Sequence, residues 1–150
     1  MLYNERTGNN QGELDVIGIK KGPTDRVWLC EVATHLEGLQ YGNAEQNRRK
    51  VAAKVKSAQS YATKVFGADE HIFELWTPRV GVGLNTQWMS RMTADQAGRG
   101  FRVEFIYNEK YTEALQELTE IARKGTSDTG EPAFRLLQIL THLRGDGVTL

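Results

Sequence analysis

The stretch GELDVIGIKKGPTDRVWLCEVATHL, residues 12–36, decides how this chain is read. Leu14, Val16 and Ile17 give Glu13 to Ile19 the character of a strand. Lys20 to Asp25 then form a polar turn punctuated by Gly22-Pro23. Val27 to Leu36 is rich in β-formers and reads as a second strand. Together they predict an antiparallel hairpin, with Leu2 to Thr7 as a third strand. One acid stands inside each arm among apolar neighbours, Asp15 in the first and Glu31 in the second.

Outward from the hairpin, Gly38 to Gly42 breaks the pattern and a long helix follows over Ala44 to Phe66. Val51, Val55, Ala58, Ala62 and Val65 recur at helical spacing on one face, and Gly67 supplies the stop. His71 to Val80 reads as a strand ended by Pro78 or the glycines beyond it. Residues 81–100 read as irregular, with a short helix near Trp88 to Gln96. Phe101 to Tyr107 alternates as a strand. Helices are expected over Thr112 to Lys124 and Pro132 to Leu143. This order predicts an α/β fold, a mixed central β-sheet flanked by helices, with a parallel strand pair joined through the long helix.

The length, 150 residues, suits one domain, and the sequence is read as a single domain throughout. Nineteen Lys and Arg balance nineteen Asp and Glu, which excludes a chain that is basic throughout but not a local basic face. The single cysteine, Cys30, rules out an internal disulfide, and it is expected to be a buried structural thiol. Neither a signal peptide nor a membrane-spanning stretch is visible, so a cytoplasmic protein is expected.

Acidic residues within apolar strands are disfavoured unless they are paired or used as ligands. Asp15 and Glu31 on adjacent strands would make a hard-cation site suited to Mg²⁺ or Mn²⁺. The plainer reading is that Glu13 and Asp15 form a polar strand edge.

Hairpin, acids and the basic helix after them resemble the restriction-endonuclease-like superfamily, the PD-(D/E)XK phosphodiesterases. The likeness covers residues 1–80, with the strand and helices of 81–150 outside it. It implies a restriction-endonuclease-like core and a metal-dependent endonuclease acting on DNA. Asp15 and Glu31 would be the metal ligands, and a homodimer would serve two-strand cleavage. The superfamily's lysine would fall at position 33, where this chain has Ala33. Three explanations stand. The lysine has moved to the helix, as Lys54 or Lys50; or Thr34 or His35 assists; or the site is inactive and the chain binds DNA or a protein partner. The first is favoured, with Lys54 nearer the apolar stripe than Lys50. The superfamily's usual helix ahead of the first strand has no counterpart in residues 1–12. Arg48, Arg49 and Lys56 on the basic helix are the expected nucleic-acid contacts. A Gln and a Tyr four residues apart, found on this helix in some branches, are not matched, because Gln59 and Tyr61 are two apart.

Overall fold

The computed structural model describes residues 2–4, 11–39, 42–81, 88–89, 91–92, 100–127 and 130–143. β3 (Val16–Lys20) and β4 (Arg26–Val32) form the expected antiparallel hairpin, with Val16 opposite Cys30 and Lys20 opposite Arg26. Asp25 holds the turn, accepting from the Gly22 N–H at 3.1 Å and the Lys21 ammonium at 2.6 Å. These two donors keep the Asp25 carboxyl below the usual carboxylate range. The segment expected as a third hairpin strand pairs elsewhere. β1 (Leu2–Asn4) runs antiparallel to β2 (Gln11–Glu13) in a separate two-stranded sheet.

β4 continues into a parallel ladder with β5 (Glu70–Thr77), and β5 pairs in parallel with β6 (Phe101–Tyr107). The four-stranded sheet therefore has the order β3-β4-β5-β6 and is mixed. β5 stops before Pro78, which has no N–H to continue a ladder. Its early end also shortens β4. Val32 faces Trp76, the Ala33 N–H still reaches the Trp76 carbonyl at 2.8 Å, and no strand partner follows among the described residues.

α1 (Ala44–Val65) crosses from β4 to β5, as parallel pairing requires. Its start is fixed by a reciprocal cap. The Asn43 side chain accepts from the Gln46 N–H at 3.0 Å, and the Gln46 side chain accepts from the Asn43 N–H at 2.8 Å. Val51, Val55, Ala58 and Ala62 are buried against Val27, Leu29, Phe73, Leu75 and Val103. The two alanines let helix and sheet approach closely, and burying each of the larger side chains is worth roughly 1.5–3 kcal/mol. Val65, expected on this stripe, is 53% exposed because it falls in the helix's last turn.

The chain divides into two compact units, 1–108 and 109–150. The second contains α2 (Glu109–Lys124) and α3 (Pro132–Leu143). Buried Gln138 of α3 donates through Nε2 to the carbonyl of Gly125, just past the end of α2, at 2.9 Å. Leu115, Leu118, Ile121, Leu136, Ile139 and Leu143 are exposed. Of the short helix expected near Trp88 to Gln96, the described residues 88–89 and 91–92 are helical, and the rest lies outside the described residues. Among the described residues, no helix is long and apolar enough to cross a membrane.

Candidate functional site

Strand alternation sends Val27, Leu29 and Glu31 to the face covered by α1. Glu31 is thus the polar end of an apolar row, and only 8% of it is exposed. A carboxylate so placed needs a partner. Its partner comes from the helix. The Lys54 ammonium sits on Glu31 Oε1, with the Lys54 side chain 30% exposed and that of Glu31 10% exposed. Lys54 lies one residue before Val55 on the flank of the buried stripe, so its stem follows the apolar surface while its amine reaches the strand end.

Asp15 arrives by a different route. Leu14 is buried and Ile17 packs against the same core, three residues apart, so the alternation of two breaks between them. Asp15 and Val16 both fall on the exposed side of this break. The Asp15 N–H donates to the Cys30 carbonyl at 3.0 Å, and Asp15 Oδ2 accepts from the Val32 N–H at 2.6 Å. The Ala33 N–H points towards β5, so the Val32 N–H points the other way, towards the hairpin partner. The Asp15 carboxylate therefore takes up the last donor on that edge of β4, where the regular ladder has ended. One acid is held along the strand edge and the other beneath the helix, at the same end of β4.

The surroundings of this end are tied down. Gly38 is buried with φ +98, and a Cβ there would lie 2.8 Å from the Arg79 carbonyl, so the loop after β4 presses on the chain beyond β5 as only glycine allows. The Asn108 side chain accepts from the Val80 N–H at 2.9 Å. Asn47 is buried on α1 and donates to the Gly42 carbonyl at 3.1 Å. It stands seven residues before Lys54 on the same helix stripe, and its burial is a feature that sequence reading passed over.

The remaining expected site residues are more dispersed. Lys50 shares the Lys54 flank but is exposed. His35, a candidate to assist the site, lies beyond the end of β4 and is exposed, with its carbonyl accepting from the Gly38 N–H at 3.0 Å. Thr34 is also exposed, and Ala33 is buried. Arg49 and Lys56 lie on the outward side of α1, and Arg49 pairs with Glu45 at 3.4 Å. Arg48 is half-buried on the flank opposite Lys54, its Nε enclosed and without a hydrogen bond among the described residues. Tyr61 packs against the core with its ring edge-on to Phe66.

Cys30 faces away from α1 and is half-buried. Its thiol donates to Glu74 Oε2 at 3.7 Å, and the same oxygen accepts from Trp76 Nε1 at 2.8 Å. Burial and the neighbouring Glu74 carboxylate push the thiol up to about 12 from its usual 9.0. A thiol held neutral in this way is no nucleophile near pH 7.

Among the described residues, no three His, Cys, Asp or Glu side chains form a group that could hold a metal ion. The end of β4 carries two carboxylates, Asp15 along the strand edge and Glu31 under α1, and Mg²⁺ commonly takes one or two carboxylates and completes its shell with water and substrate phosphate. Compared with known proteins, the chain matches no family model, no curated protein and no solved structure.

Proposed function

We propose that this chain is a metal-dependent nuclease with a restriction-endonuclease-like core, hydrolysing phosphodiester bonds of DNA. The observation that carries the reading is the Lys54 ammonium seated on Glu31 at the end of β4 that also holds Asp15. The lysine missing at position 33 has a counterpart delivered from α1. The order of antiparallel hairpin, crossing helix and parallel strand supports the same core. DNA as the substrate follows from the resemblance.

In this mechanism Asp15 and Glu31 would hold Mg²⁺ or Mn²⁺. When bound, the ion supplies Lewis-acid polarisation of the phosphodiester and acidifies a coordinated water. Asp15 is held in place by the Val32 N–H, so it has less rotamer freedom left to lose when it binds. Lys54, partly exposed, carries positive charge to the place where the phosphoryl oxygens become more negative. Lys50 on the same flank, with Arg49 and Lys56 on the outward side, gives the flanking phosphates a basic surface.

A second reading is a non-catalytic relative that binds DNA or a protein partner. It is favoured by Glu31 being already neutralised by Lys54. Plasmid nicking with Mg²⁺ or Mn²⁺ separates the two. The nuclease reading expects cleavage by the native chain and a loss of roughly 100-fold or more in Asp15→Ala and in Glu31→Ala. Cleavage that both variants retain overturns it, and DNA binding without cleavage selects the second reading.

A further inference from the structure

We infer that Lys54 is the resident counter-cation of Glu31 and that a divalent ion binds by displacing it, so that loading the site and freeing the lysine are one exchange. The inference rests on the reading of Asp15 and Glu31 as a cation site. The two acids are prepared differently. Asp15 is fixed to a backbone N–H at 2.6 Å, a bond that needs no cation. Glu31 is buried, and a buried carboxylate left without positive charge is costly. The Lys54 ammonium meets that need at Oε1.

An ammonium and a divalent cation repel strongly when both lie within contact of one carboxylate in a poorly hydrated place. The lysine has somewhere to go. Its side chain is 30% exposed, and its flexible four-carbon stem can swing the amine away without moving α1. Swinging away from Glu31 leaves the charge near the edge that a phosphate must approach, so the same exchange that admits the ion makes Lys54 available to substrate. Removing the charge at position 54 should therefore tighten ion binding while it weakens cleavage. These opposite signs are not expected of a lysine whose role is only structural.

The test uses the full chain without DNA and Mn²⁺ alone as the probe, followed by electron paramagnetic resonance of the free ion. Native protein is compared with Lys54→Gln, Lys54→Arg, Glu31→Gln and Asp15→Ala. Lys54→Gln should bind Mn²⁺ roughly 5- to 150-fold more tightly than the native chain, the usual span of a coupling between two ligands. Lys54→Arg, which keeps the charge, should bind no more tightly than the native chain. The rise in melting temperature produced by Mn²⁺ should be larger in Lys54→Gln. If that variant is unfolded without the ion, refolding driven by Mn²⁺ below the native dissociation constant is the same result, and failure to refold at any concentration counts against the inference. Binding that depends on Glu31 but does not tighten in Lys54→Gln overturns the inference alone. Absence of binding throughout, or binding unchanged in Glu31→Gln and Asp15→Ala, removes the cation site and the inference with it.

Discussion

β4 carries charge at both ends, and the two ends behave differently. At its start, Arg26 pairs with Glu70 at 2.9 Å, Glu70 with Arg102 at 3.4 Å, and Arg102 with Glu104 at 2.9 Å. These side chains are 24–49% exposed, and they lie on the sheet face away from α1. At its finish, Glu31 is enclosed under α1, its cation arrives from a residue 23 positions on, and Asp15 is pinned to the Val32 N–H along the strand edge. Water screens each ion pair of the starting network. The Lys54–Glu31 pair of the finishing end sits in a drier place, where one charge governs the state of its neighbour. Counting acids and bases would rank the two ends the wrong way round; desolvation ranks them correctly.

This contrast is open to direct attack by substitution. Lys54→Ala leaves Glu31 without its ammonium. Losing one partner of a fully buried pair costs about 3–5 kcal/mol, and the partial exposure of Lys54 lowers the expected loss to about 2 kcal/mol. Urea denaturation of the two proteins measures it, and a change below about 0.5 kcal/mol would remove the distinction between the ends. At the other end, Arg102→Ala deletes a residue with two ion-pair partners, but at 49% exposure the expected change stays within about 0.5 kcal/mol. A loss there as large as that of Lys54→Ala would show that the outer network is a structural element in its own right.

The architecture was legible because its signals are local. Lys20 to Asp25 announce the hairpin turn, the buried valines and alanines of α1 recur at helical spacing, and Gly67 and Pro78 mark stops. The crossing helix then implied the parallel pairing that β4 and β5 adopt. The details that shape the site depend on partners distant in sequence. The break in alternation between Leu14 and Ile17 is set by the core beneath them, and it turns Asp15 along the strand edge. β4 ends at Val32, short of the expected Leu36, because nothing in residues 27–36 shows that β5 ends at Thr77. Lys54 was distinguishable from Lys50 by its closeness to the Val51–Val55 stripe, since burial of the stem needs an apolar neighbour. Asn47 and the Cys30–Glu74–Trp76 cluster carry no local signature, because the register that joins Cys30 to Glu74 exists only in the sheet.

The central claim is that the finish of β4, and not its start, is where a divalent cation binds. Amide nuclear magnetic resonance spectra of the full chain recorded during addition of Mn²⁺ test this most directly, since the paramagnetic ion broadens the signals nearest to it. The account predicts selective loss of the signals of Leu14 to Val16, Glu31 to Ala33 and Lys54, with Lys21 to Arg26, Asp69 and Glu70 unaffected. Broadening centred on the Asp25, Asp69 and Glu70 acids, or spread evenly over the surface carboxylates, would contradict it.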